Sequence, residues 1–197
     1  MRNVEAKFRC PEAPLAEARS HALAAGARSD GVLEQTDTYF HCLTGRLKLR
    51  EIVQDGRSLE SVLIGYARPD IAGARASNFT IVPIPDPAAL KAALGATLGV
   101  RVRVAKRREV LWLRHTRIHL DAVRDLGTYV ELETLVVPAE GQRNDVAGAA
   151  DDEEAARELA EVAAMLGFTL AEAVPGSYAD LLVDQHPDGA PTVASCA

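Results

Sequence analysis

The chain has 197 residues, 48% of them hydrophobic, which suffices for one well-buried domain and gives no case for two. A net charge of -6 argues against general nucleic-acid binding. No apolar run is long enough to span a bilayer and no signal-peptide core opens the sequence, so a cytoplasmic location away from membranes is expected.

In chain order, the first strand is predicted over Arg2 to Arg9. Pro11 and Pro14 then punctuate the chain, and Leu15, Ala18, Ala22 and Ala25 mark a helix face that Gly26 or Gly31 can end. Strands are predicted at Thr36–Cys42 and Arg46–Val53, joined through Leu43-Thr44-Gly45. A turn at Gln54-Asp55-Gly56 leads into a strand over Ser58–Tyr66. Arg68-Pro69-Asp70 opens a loop, and a further strand spans Ser77 to Val82. Leu90, Leu94 and Leu98 give the stripe of a second helix. Strand signals follow at Val100–Lys106, Glu109–His115, Arg117–Val123 and Thr128–Val136. Ala155, Leu159, Val162, Ala163 and Leu166 define a third helix, its positive end matched to the acids at 151–154. A short helix is expected from Ser177 to Val183. Residues 1–184 then form one domain, with a disordered tail over 185–197 rich in Pro, Gly and Ala.

Charge is unevenly placed. Between Arg101 and Arg117 stand seven Lys or Arg and one acid, Glu109; between Asp151 and Glu161 stand six acids and one base, Arg157. Cys10, Cys42 and Cys196 are odd in number and show no CxxC spacing, so neither a disulfide framework nor a zinc site is indicated. His115 and His119 are four apart but on a strand, where helical zinc geometry does not arise.

The strands carry charge at alternate positions: Asn3, Glu5 and Lys7; Arg46, Lys48 and Arg50; Glu131 and Glu133. Residues i and i+2 of a strand share a face. One arrangement turns these faces to water and the apolar faces inward. The other closes an antiparallel sheet into a barrel with the charges inside. Three helices need apolar surface to cover, and the strands' other faces supply it, so an α+β barrel with a charged lumen and helices outside is expected. Of the three adjacent cations Lys106, Arg107 and Arg108, the first and third are expected to face inward. Asp37, Tyr39 and His41 share a face, and Tyr178 is placed to cover one end of a lumen.

Taken together, Asn3-Val4-Glu5-Ala6-Lys7, Asp37-Thr38-Tyr39-Phe40, Gly45 to Arg50, Lys106 to Glu109, Arg117 to Val123, Leu126 to Glu133 and Gly176 to Leu182 give the chain a pattern. It resembles the CYTH family, the triphosphate tunnel metalloenzymes, and within it the class IV adenylyl cyclase-like branch. The resemblance runs from Asn3 to Leu182. It implies an eight-stranded antiparallel β-tunnel. Three positions depart from the family pattern. Asn3 replaces the first Glu of an opening Glu-x-Glu-x-Lys, Ala67 stands where many members carry a lysine, and Thr80 where members often place an acid.

Such equipment suits a phosphate-rich anion carrying a divalent metal. By position and by resemblance, Glu131 and Glu133 are the first candidate ligands for Mg²⁺ or Mn²⁺, followed by Glu5 and by Asp121 through a water. Lys7, Arg46, Lys48, Arg50, Arg108 and Arg117 are candidates for holding phosphate oxygens. Glu5, Lys7, Arg50, Lys106 and Arg108 form the candidate catalytic set. The implied partner is a nucleotide or other organic polyphosphate, with no nucleic acid, and a homodimer is compatible with the fold. Two reactions fit: cyclisation of ATP to cyclic AMP with loss of pyrophosphate, or hydrolysis of a terminal phosphate. A non-catalytic nucleotide or polyphosphate sensor is the third reading.

Overall fold

The computed structural model describes residues 2–67, 75–137 and 149–185. The loop at Arg68-Pro69-Asp70, Cys196 and the C-terminal tail lie outside them. In chain order the elements are β1 (Arg2–Arg9), α1 (Glu12–Ala24), β2 (Arg28–Phe40), β3 (Arg46–Gln54), β4 (Arg57–Ser58), β5 (Ser61–Ala67), β6 (Arg75–Ile84), α2 (Pro87–Leu98), β7 (Val100–Leu113), β8 (Thr116–Val123), β9 (Gly127–Leu135), α3 (Ala149–Met165) and α4 (Tyr178–Gln185).

The strands pair in the order β2-β7-β8-β9-β1-β6-β5-β3, and β3 pairs back onto β2, so eight strands close a ring while the short β4 only extends the hairpin after β3. Every pairing is antiparallel. Closure leaves the ring of eight without a free edge among the described residues and gives each of its strands one face to the lumen and one to the outside. The turn after β3 uses Asp55 and Gly56, both at positive φ (50° and 73°), which matches the right-handed twist of the flanking strands.

Two sequence expectations require correction. Val100–Leu113 is one unbroken strand and not two, because Lys106 and Arg108 point in and Arg107 points out, continuing the alternation through the presumed break. β2 begins at Arg28 rather than Thr36, since its polar first half pairs with the far end of β7.

Helices α1 and α3 clad the outer face of β1, β8 and β9. Ala18 and Ala22 of α1, and Ala155, Leu159, Val162, Ala163 and Leu166 of α3, pack against Val4, Ala6, Phe8, Ile118, Leu120, Val130 and Leu132. Each large aliphatic residue buried there stabilises the fold by about 1.5–3 kcal/mol. The helix α2 is capped by Asp86, whose side chain accepts from the Ala89 N–H at 3.0 Å, with Pro87 in the first turn. It has no buried residue, so its Leu90–Leu94–Leu98 stripe covers the barrel less fully than its periodicity suggested. α4 lies across one end of the ring, where Tyr178, Ala179 and Leu182 join Tyr39, Val102, Val104 and Tyr129 in a second apolar cluster. Its start is fixed reciprocally: Ser177 donates to Asp180 from its N–H and its hydroxyl, and the Asp180 N–H returns to the Ser177 oxygen. Among the described residues, no helix is long and apolar enough to cross a membrane.

Candidate functional site

The ring encloses a cavity of about 360 Å³. Alternate residues of the strands line it: Asn3, Glu5 and Lys7 from β1, Lys48 and Arg50 from β3, Lys106 and Arg108 from β7, Arg117 and His119 from β8, Glu131 and Glu133 from β9. With Asp30 and Asp37 of β2, ionic side chains from six strands converge on one lumen.

Two buried aspartates organise the cations. Asp37 lies across the β2–β3 ladder from Arg50 and takes its Nε and Nη2 at 2.8 Å each, and also takes Lys48 Nζ at 2.9 Å. Asp121 lies across the β7–β8 ladder from Arg108 and takes its Nε at 2.7 Å and Nη2 at 2.6 Å, with Lys106 Nζ at 3.3 Å and the Tyr178 hydroxyl at 2.8 Å. The same Lys-x-Arg-plus-Asp unit therefore occurs twice. Burial works to raise both aspartates, but the adjacent charges outweigh it: Arg50 and Lys48 hold Asp37, and Arg108 and Lys106 hold Asp121, well below the usual carboxylate range. Burial, seconded by the neighbouring arginine, pulls Lys48 and Lys106 each down to about 8.

Asp121 is fully enclosed by these partners and does not line the cavity; it anchors the cations in this arrangement. Arg46 lies at the α4 end, where Asp180 takes its Nη2 at 2.8 Å and Arg101 at 3.0 Å. Tyr178 closes that end. Its ring lies under Lys7 Nζ at 4.2 Å and Lys106 Nζ at 4.8 Å, and Lys7 also donates to the Gly176 carbonyl at 3.0 Å.

The carboxylates gather on the β8–β9–β1 side. Glu5 is directly opposite Glu133 on the β1–β9 ladder, and Lys7 is opposite Glu131. Arg108 donates to Glu131 at 2.8 Å, Arg117 to Glu133 at 3.3 Å, and the Asn3 amide also donates to Glu133. Burial works against the charge of Glu131, but Arg108 and Lys106 hold it well below its ordinary range. His119 faces Glu133 at 4.0 Å; burial first and then Arg108 push it well below 6.5, so it is neutral.

Residues of this side fit a hard divalent cation. Glu5 and Glu133 stand opposite each other on adjacent strands, two carboxylates placed so that one cation could meet both. Beside them Asn3 Oδ1 is buried without a hydrogen-bond partner, a further oxygen of the required kind. Among the described residues, no three His, Cys, Asp or Glu side chains form a ready metal shell.

Charge in the lumen nearly balances. Lys7, Lys48, Arg50, Lys106, Arg108 and Arg117 stand against Glu5, Asp30, Asp37, Glu131 and Glu133 on the lining, with Asp121 buried just behind it. A polyphosphate entering here therefore needs a cation of its own.

Sequence reasoning missed His119, although Arg117, His119 and Asp121 alternate in the same way as Glu131 and Glu133. It also missed the apolar lining: Leu33, Ile52, Ile64, Phe79, Ile81 and Val110, with Trp112. Thr80 faces away from the lumen, between the lining residues Phe79 and Ile81, so its departure from the family pattern does not alter the inner wall.

The CYTH domain family model matches residues 1–178. Among solved structures, the PH1012 protein of Pyrococcus horikoshii OT3 aligns with a TM-score of 0.73 at 21% identity, over 91% of this chain and 98% of that one. The PH1819 protein of the same organism gives 0.72 at 23%, over 93% and 99%. A candidate adenylate cyclase of Vibrio parahaemolyticus gives 0.67 at 15%, over 91% and 97%. These likenesses are ones of fold. No curated protein matches the sequence.

Proposed function

The chain belongs to the CYTH domain family, and from that premise we propose that it is a metal-dependent enzyme that breaks a phosphoanhydride bond of an organic polyphosphate held inside the barrel. The observation that carries this reading is the lumen itself: two aspartate-anchored Lys-x-Arg units on one side and the Glu5, Glu131 and Glu133 carboxylates on the other, around one cavity.

Lys48, Arg50, Lys106 and Arg108 would bind phosphate oxygens, the arginines through planar forks and the lysines as point charges. Asp37 and Asp121 fix the arginine planes before any ligand arrives, so little reorganisation is needed when charge develops. Lys7, held by Gly176 and Tyr178 at the α4 end, would set how deep the phosphate chain goes. Glu5 and Glu133, with Asn3 Oδ1, would hold Mg²⁺ or Mn²⁺, which supplies charge neutralisation on bridging and non-bridging phosphate oxygens. Arg117 keeps Glu133 oriented. Cyclisation by a ribose 3′-hydroxyl, as in a class IV adenylyl cyclase, and attack by water, as in a triphosphatase, both use this ground state. They differ in which phosphorus meets the nucleophile in line.

The test is product identification by mass after incubation with ATP, other nucleoside triphosphates, thiamine triphosphate and tripolyphosphate, each with Mg²⁺ or Mn²⁺. Cyclic AMP with pyrophosphate assigns the cyclase and orthophosphate the hydrolase. Tight binding without turnover, or no binding at all, refutes the enzyme.

A further inference from the structure

The lumen has two unlike ends. At the α4 end, Tyr178, Lys7, Lys106 and Asp121 close it with charge and hydrogen bonds. Toward the other end the wall formed by β2, β3, β5, β6 and β7 turns apolar: Leu33, Ile52, Ile64, Phe79, Ile81 and Val110 line it, with Trp112 near the end of β7. Ile81 lines the cavity yet is 48% exposed, so this end is the mouth.

This collar has little with which to read a nucleoside. The Trp112 N–H is directed to Asp30 at 3.3 Å, and the Arg117 guanidinium lies 4.9 Å from the Trp112 ring centroid. Among the described residues, the lining of this wall at the mouth is hydrocarbon or aromatic apart from Asp30 and Gln35, and the Gln35 amide already donates to Asp37 at 3.2 Å. Polar edges of a base and ribose pressed against it would lose more water contacts than Asp30 and Gln35 can replace. A branched hydrocarbon would lose nothing of that kind and would gain with each methylene covered.

We propose that the organic part of the ligand is apolar: the protein takes a polyphosphate ester of an aliphatic alcohol, of the short branched or isoprenoid type, with the phosphates against the Lys-x-Arg units and the hydrocarbon in the collar. This rests on the polyphosphate reading above and specifies its substrate class.

The experiment holds the phosphate number fixed. Calorimetry with Mg²⁺ present compares inorganic pyrophosphate, ADP and dimethylallyl or geranyl diphosphate on the intact chain. The alkyl diphosphates are expected to bind at least about tenfold tighter than either of the others. Leu33→Thr and Ile81→Thr, the second at a half-exposed position that tolerates threonine in a strand, should each remove several-fold of that gain and leave pyrophosphate affinity unchanged. ADP binding as tightly as the alkyl esters, or alkyl affinity unmoved in both variants, overturns the assignment while leaving the polyphosphate reading intact. Failure of all these ligands, pyrophosphate included, overturns the polyphosphate reading and this inference with it.

Discussion

Asp37 grips Arg50 with both carboxylate oxygens from directly across the β2–β3 ladder, at 2.8 Å for each contact. Arg108 meets Asp121 in the same way on the β7–β8 ladder, so two hairpins of the ring present matched cationic forks to the lumen. Burying a cation costs several kcal/mol unless its partner is close, and here the partner is built into the neighbouring strand.

Removing either aspartate should therefore cost more than removing a surface charge. Asp121→Ala leaves Lys106 and Arg108 buried beside each other without their closest acid, and is expected to lower stability by about 3–5 kcal/mol in urea titration. Exposed Glu12, replaced by Ala, serves as the comparison and should change little. An Asp121→Ala protein as stable as the parent would show that the aspartate does not hold the cations.

The lysines predict a pH dependence with a definite sign. Both Lys48 and Lys106 lose their protons near pH 8 in the folded protein, below their ordinary value. Between pH 8 and the unfolded value the unfolded chain carries more protons, so their contribution to folding stability rises with pH across that window. Polyphosphate binding runs the other way. Bound phosphate favours the ammonium form, so affinity should fall above about pH 8 and binding should take up protons there. Calorimetry in buffers of different ionisation enthalpy measures that uptake. Lys48→Arg with Lys106→Arg should flatten the profile; an unchanged slope would remove both lysines from the site.

Much of this lumen was legible in the sequence because charge alternated with period two, and a period of two admits only one assignment of faces once the outer helices are placed. Glu5, Lys7, Lys48, Arg50, Lys106, Arg108, Arg117, Glu131 and Glu133 all lie where their phase put them. The roles of Asp37 and Asp121 were not legible, since which aspartate meets which arginine depends on strand register, and register is set by long-range pairing. The apolar collar escaped for the opposite reason. Ile52 and Ile81 look like ordinary strand residues and Leu33 stands before the predicted start of its strand, and only closure of the ring brings them to one mouth. His119 was set aside with its zinc spacing, although its phase already put it inside.

The carboxylates on the far wall should separate metal binding from folding. Glu131→Gln with Glu133→Gln keeps side-chain shape and one carbonyl acceptor each for Arg108 and Arg117, while removing two negative charges. Metal-dependent turnover is expected to fall by at least about a hundredfold, a loss on the scale of a removed transition-state contact, with the circular dichroism spectrum unchanged. Mn²⁺ binding followed by electron paramagnetic resonance should weaken in parallel. Full turnover in the double variant would exclude both side chains from the chemistry.

Asn3 offers the sharpest test of where the cation lies. Its amide donates to Glu133 and its Oδ1 is buried without a partner, two residues along β1 from where Glu5 and Glu133 face each other. Asn3→Glu would replace a donor by a third carboxylate. Without metal, the added like charge should lower stability by about 1 kcal/mol, a fall in melting temperature of about 2–4 °C. With Mn²⁺ the sign should invert: an extra oxygen anion beside the ion is expected to tighten binding by about tenfold, so the melting temperature rises more steeply with Mn²⁺ in the variant than in the parent. The crossing of the two melting curves is the signature, since a variant that was merely misfolded would melt lower at every metal concentration. Equal Mn²⁺ responses in variant and parent would place the ion away from the Glu5–Glu133 pair.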